Sequence, residues 1–306
     1  MGIEVNFKEL NPSDYPKYKN YFENNPHQLS LYTLSSILVW QNDYYQPYGD
    51  VLDDTLIIMG MFKKPELKKH LTLPMSPTKQ YTPLELKNLG MALGISKFYY
   101  VTEAYLNQWQ TQIDLLFHVE EQKDSEDYVY LTSDLSDLKG NKYTKKRNLI
   151  NQFTKEYVTH GRVKIEGIDQ SNASECIKFL EEWCEERHCD VETEVTLACE
   201  KQAVLNAINH IEVLEMSSLL LRIDNKISAM AMASYLNSQM GVLHFEKAFA
   251  NIKGLYQYFD RECAKRLFQG YYYINKESDM NIQGLAHSKQ SYYPIMKVKS
   301  YQLSIR

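Results

Sequence analysis

The spacing of apolar residues changes period repeatedly along this chain, and each change predicts an element. Leu29 to Trp40, with Leu31, Leu34, Ile37 and Leu38, reads as a mostly buried helix. Asp53-Asp54 turns the chain into Thr55 to Met59, a short apolar run of strand type. Phe62 to Pro77, interrupted by prolines and lysines, reads as an irregular edge. Pro83 suits the first turn of a helix that runs through Leu86, Leu89 and Leu93, and Gly94 stands where a C-cap is expected. Phe98 to Thr102 is a predicted strand, Leu106 to Gln112 a short helix or loop, and Tyr128 to Leu131 a further strand.

The second half is more regular. A helix over 145–157 places Leu149, Ile150, Phe153 and Tyr157 on one face. Val163 to Ile165 is a short strand. Ala173 to Arg187 is helical with Cys176, Phe179, Leu180, Trp183 and Cys184 inward, and Val195 to His210 is another helix. Asp224-Asn225 between two apolar runs predicts a hairpin. Gly241 to Phe249 is its third strand. Gly254 then opens a helix with Leu255, Phe259, Cys263 and Leu267 four apart, and Tyr271 to Asn275 returns as a strand.

Charge adds an oddity. Lys139, Lys142, Lys145, Lys146 and Arg147 crowd the entry of the 145–157 helix. A helix N-terminus is already positive, so the crowd implies either an anion held there or a solvated basic turn.

The same stretch carries a resemblance. D-L-x-x-L-x-G-x-K-Y-x-K-K-R-N-x-I-N-x-F, from Asp134 to Phe153, is similar to the signature of the phosphatidylglycerol lysyltransferase C-terminal-domain family. Two further segments resemble it: His244 to Ala248 with Lys253 to Gln257, and Asn275 to Leu285 with Ser288 to Pro294. The resemblance implies an acyltransferase of the GNAT fold. The fold class expected is α+β: tandem GNAT-like domains, with mixed, mostly antiparallel sheets flanked by helices. The expected division is a degenerate copy over 1–160 and a second domain over 161–306.

Candidate chemistry gathers in those three segments. Strand alternation puts Val242, His244, Glu246 and Ala248 on one face. Glu246, with His244, reads as a general base or ammonium anchor; its alternative is an ion pair with Arg222 or Arg261. Lys145, Lys146, Arg147, Asn148 and Asn151 are candidates to hold a donor's phosphates, with Tyr143 beside them, and Lys253 and Gly254 lie at the junction where GNAT enzymes receive an acyl carrier. A single glycine there is a poor carrier loop and fits aminoacyl-tRNA better than acyl-CoA as donor. If their strand continues, Asn275, Glu277 and Asp279 share a face and call for a cation such as Arg147 or Lys289; they and Ser291 are substrate-binding or architectural.

Composition bounds the rest. The chain has 306 residues, 44% hydrophobic and 12% aromatic, enough for a sizeable core. A net charge of −5 excludes a general polyanion binder, so DNA is not expected and tRNA would need a local basic patch. Neither an apolar leader nor a membrane-length apolar run is visible, which predicts a cytoplasmic protein with no integral membrane segment. Five cysteines without CxxC spacing predict reduced thiols. Cys184, His188 and Cys189 are read as helical core and not as zinc ligands, so no metal is expected. Two functions follow. One is transfer of an aminoacyl or acyl group to an amine or hydroxyl on a small molecule, peptide or lipid. The other is a non-catalytic, CoA-independent protein holding a small anionic metabolite or nucleotide between its halves.

Overall fold

The computed structural model describes residues 5–24, 26–64, 66–187 and 195–306, with the side chains of 195–198 set aside. The strands are β1 (Lys8–Glu9), β2 (Tyr45–Leu52), β3 (Thr55–Phe62), β4 (Lys68–Leu71), β5 (Lys97–Thr102), β6 (Phe117–Glu121), β7 (Asp127–Leu131), β8 (Val163–Glu166), β9 (Ser217–Ile223), β10 (Lys226–Asn237), β11 (Met240–Ala248), β12 (Tyr273–Asn275), β13 (Met296–Val298) and β14 (Ser300–Ile305). The helices are α1 (Tyr15–Tyr18), α2 (Leu34–Val39), α3 (Pro83–Leu93), α4 (Glu103–Leu116), α5 (Thr132–Asp137), α6 (Thr144–Phe153), α7 (Ala173–Arg187), α8 (Val195–Asn209), α9 (Leu255–Leu267) and α10 (Gln283–Gln290).

The described residues form two seven-stranded sheets. The first runs β1-β2-β3-β4-β5-β14-β6 and the second β13-β7-β12-β11-β10-β9-β8. Most pairs are antiparallel; β4–β5 and β11–β12 are parallel. The sheets exchange chain. β7 pairs β12 and β13 in the second sheet, while the final strand β14 inserts between β5 and β6 of the first.

Local chemistry accounts for the best-defined elements. Thr82 and Glu85 form a capping box at the start of α3, Pro83 follows, and Gly94 closes the helix at φ +66°. Asp53-Asp54 and Asp224-Asn225 all have positive φ, which makes the β2–β3 and β9–β10 connections two-residue hairpin turns. One face of the second sheet is covered by α5, α6 and α9, with Leu135, Ile150, Phe153, Leu255 and Phe259 in that core. The opposite face joins α7, α8 and the first half in a second, larger core.

α6 lies directly on the start of α9. Gly254 has φ +81°, and a Cβ there would collide with the carbonyl oxygen of Leu149. Gly254→Ala is therefore expected to cost about 3 kcal/mol, summing left-handed strain and overpacking. Urea unfolding at fixed pH measures this; a change below about 1 kcal/mol would contradict the close approach.

Candidate functional site

β11 and β12 pair only over Met240–Val242 and Tyr273–Asn275, and then separate. Beyond Asn275 the chain follows β7 instead, exchanging hydrogen bonds with Tyr128 through Lys276 N and Glu277 O. A wedge opens between β11 and residues 276–278. It is the deep end of a cavity of about 1110 Å³ that extends between the two halves to Leu29, Trp40, Tyr45 and Tyr100.

A bulge in β11 shapes the wedge. Met232 pairs Phe245 and Ala233 pairs Leu243, so His244 is an extra residue without a partner opposite. The simple alternation expected from sequence fails here. Val242 packs in the core that includes α7 and α8, while Ala248 packs in the one beneath α9. His244 is displaced to the cavity wall with both ring nitrogens engaged: Nδ1 lies 2.7 Å from Glu277 Oε1, and Nε2 lies 2.6 Å from Ser234 Oγ.

Glu246 faces the α9 side. Its partner is neither Arg222, which is held by Glu166 and Glu175, nor Arg261, which sits by Glu262. Instead Lys276 Nζ stands 3.5 Å from Glu246 Oε2 and much closer to Asp260. One cation cannot neutralise two buried carboxylates, and the tighter contact belongs to Asp260. Burial, with Asp260 beside it, accordingly raises the Glu246 carboxyl to about 8 against the pull of Lys276. Burial alone would lower the Lys276 ammonium, but Asp260 and Glu246 outweigh it and hold it above the ordinary lysine value. Glu246 Oε1 is buried and has no hydrogen-bond partner among the described residues. A raised carboxyl with an unpartnered oxygen, on a residue of the cavity wall, is equipped to accept a proton from an amine.

The rim is built by main-chain capture. The strand ends at Asn275, and Glu277 turns away at φ +58°, so Asn275, Glu277 and Asp279 do not share a strand face. Asn275, fully buried, donates to Asp127 Oδ2 and Gln28 O at 2.9 Å each and accepts from Glu277 N at 2.7 Å. It thus ties both halves to the wedge. Asp127 also accepts from Ser30 N; burial raises its carboxyl to about 6. Asp279 accepts from Tyr128 OH at 2.6 Å. Lys289 reaches this segment through backbone oxygens, donating to the carbonyls of Lys276 (2.6 Å), Glu277 (3.2 Å) and Ser278.

The basic cluster divides. Lys146 lines the cavity: its Nζ donates to Ser291 Oγ at 2.9 Å and sits 3.3 Å from the centroid of the Tyr292 ring, and burial lowers it to about 8. Arg147 is spent on the turn, donating to the carbonyls of Leu138 and Gly140. Lys139 pairs Asp137 and Lys142 pairs Asp134, so acids of α5 offset the charge at this helix entry. Lys145, Asn148, Asn151 and Lys253 are exposed. Tyr143 is fully buried, with its hydroxyl on Tyr292 O at 2.9 Å.

Sequence reading missed Lys276, Asp260 and Ser234. Asp260 and Lys276 lie apart on a helix face and a strand end, and only the fold brings them together. His188 and Cys189 lie outside the described residues; among those described, no group of three His, Cys, Asp or Glu gathers as a metal site. No described helix is long and apolar enough to cross a membrane.

Two mixed sheets with flanking helices, one splayed at β11–β12, define a tandem GNAT-type fold. The chain belongs to the family described as phosphatidylglycerol lysyltransferase, C-terminal, whose sequence pattern matches residues 92–303. It is similar to a conserved protein of unknown function from Bacteroides thetaiotaomicron, with 25% identity, TM-score 0.87, and 99% of this chain and 100% of that one covered. It is also similar to the C-terminal domain of a putative lysylphosphatidylglycerol synthetase from Agrobacterium fabrum, with 14% identity, TM-score 0.60, and 84% and 83% covered. A tandem GNAT protein from the clavulanic acid biosynthesis pathway shares the fold at 7% identity, TM-score 0.51, with 99% and 98% covered. None of the curated proteins matches the chain.

Proposed function

We propose that this protein transfers an aminoacyl group from aminoacyl-tRNA to an amine or hydroxyl acceptor bound in the cleft, with Glu246 as proton acceptor. The observation that carries the reading is the Glu246 carboxyl at the cavity wall, raised by burial and by Asp260, with an Oε1 that has no hydrogen-bond partner among the described residues. The acceptor nitrogen, relieved of a proton by Glu246, attacks the ester carbonyl. An amide bond forms as the carbonyl carbon–ribose oxygen bond breaks. The departing hydroxyl takes a proton, which Glu246 can return. Lys146 and Ser278, which line the same cavity, supply positioning.

The donor choice rests on α6. It packs on the amino end of α9, the place where a carrier's pyrophosphate would be received by backbone N–H groups. That crowding weighs against acyl-CoA. Exposed Lys145 and Lys253 near this contact, and Lys146 within the cavity, suit the phosphates of an RNA end. The kinship with lysyltransferases points the same way.

The test offers two labelled donors, a charged tRNA pool and acetyl-CoA, to the protein with a panel of small amines and alcohols, and reads product by mass spectrometry. Aminoacyl product from tRNA alone is expected. Product from acetyl-CoA alone would overturn the donor assignment.

A further inference from the structure

The end of the cavity away from Glu246 is aromatic, and the first half builds it. Trp40, Tyr44, Tyr45, Phe62 and Tyr100 line it. Tyr45 and Phe62 face each other at 5.1 Å between centroids, across the paired ends of β2 and β3.

Tyr100 is placed there at a conformational cost. Tyr301 pairs Val101 and Leu303 pairs Phe98, so Tyr99 and Tyr100 together oppose the single residue Gln302. This is a bulge in β5, and Tyr100 sits in it at φ +60°, a left-handed backbone that bulky residues rarely adopt. Two side chains lock it: Gln122 Oε1 accepts from Tyr100 N at 2.9 Å, and Tyr32 OH donates to Tyr100 O at 3.0 Å. Each sheet therefore has one bulge at the same cavity, His244 in the second and Tyr100 in the first. Strain held in place by surrounding contacts is a mark of a working surface.

The hydroxyls say more. Those of Tyr44, Tyr45 and Tyr100 make no hydrogen bond within the described residues. Burial raises Tyr100 to about 12 and Tyr45 further, so both phenols stay protonated donors. Behind them His70 is 1% exposed, with neither ring nitrogen partnered among the described residues. Its ring lies 6.1 Å from that of Tyr45 and 5.9 Å from that of Tyr100. A chamber for an alkyl chain has no use for hydroxyls without partners. Ring faces combined with the phenols of Tyr44 and Tyr100, which have no partner among the described residues, suit a planar ring that carries polar substituents.

We propose that the first half holds a second binding site, an aromatic chamber around the bulged Tyr100 that takes a planar aromatic group with polar substituents. The site is a matter of binding alone and stands apart from the transfer reaction; its test needs no donor.

Calorimetric titration of the full chain with tyramine, tryptamine and hexylamine tests it. Tyramine or tryptamine should bind at least tenfold more tightly than hexylamine. Tyr100→Gly suits the left-handed backbone without strain, which offsets part of the packing lost with the ring, so it should still fold cooperatively yet bind the aromatic amines at least tenfold more weakly. Tyr100→Phe keeps the ring, loses only the phenol donor, and should retain most of the preference. Equal affinity for hexylamine, no binding of either aromatic amine, or undiminished binding by a folded Tyr100→Gly would overturn the proposal. Absence of any transfer activity in the parent, with aromatic binding intact, would count against the transfer reading and leave this site standing.

Discussion

Glu246→Gln is expected to lower the rate of aminoacyl transfer by about 10²–10⁴-fold, the usual worth of a positioned general base. The same substitution should leave the fold intact. The amide nearly matches the carboxyl in shape and removes the acid that Lys276 neutralises least. In the folded protein Glu246 is raised to about 8, above its ordinary 4.5. Its contribution to stability is fully present below about 4.5 and is lost as pH rises through about 8. Above that pH the glutamine variant should be at least as stable as the parent. Urea denaturation alongside the transfer assay separates the two effects. Loss of rate through unfolding would show as a fallen midpoint, which the account does not predict.

Lys276→Met should instead strike the fold. Lys276 is the cation shared by Asp260 and Glu246, and its removal leaves a buried and a largely buried carboxyl side by side without that counter-charge. Breaking a buried pair in this way costs about 3–5 kcal/mol when the acids are ionised. Protonation relieves part of the loss. With the cation gone, the Glu246 carboxyl stands further above its unfolded value, so stability present at low pH is lost as pH rises. The deficit against the parent should be larger at pH 8 than at pH 5. An equal deficit at both values would mean that the cost is one of packing and not of charge.

The fold was legible where chemistry is local. Pro83 and Gly94 bracket α3, and Asp224-Asn225 marks the β9–β10 hairpin, because capping and turn conformation depend on a few adjacent residues. The element order from α6 to β12 followed from period and turn signals. Several strands were not legible. β4 reads Lys68-Lys69-His70-Leu71 and has little apolar signal. β2 carries Pro47 and Gly49 among its aromatics, yet it pairs on both sides. β14 finds its partners almost two hundred residues away, in a sheet that nothing in Ser300–Ile305 specifies. Leu106 to Gln112 proved to be part of the longer α4, although Trp109 departs from helical geometry within it.

The site was half visible. The family motifs led to His244, Glu246, Glu277 and Lys146, which all line the cavity. Their relations were not readable. One extra residue at His244 breaks the alternation that placed it with Val242. The charge run from Lys139 to Arg147 looked uniform, yet carbonyls and α5 acids absorb much of it and Lys146 alone of the run reaches the cavity. Lys276, beside the noticed Asn275 and Glu277, gave no signal because its meaning lies in Asp260 across the wedge.

The account turns on Glu246 acting as the proton acceptor in the cleft. The most direct measurement is the pH dependence of the single-turnover rate with a labelled aminoacyl-tRNA, for the parent and for Glu246→Gln. The parent rate should climb through an inflection near the raised carboxyl value of about 8, and the variant should lack both the inflection and most of the rate. A variant that keeps the parent's rate and profile would contradict the account.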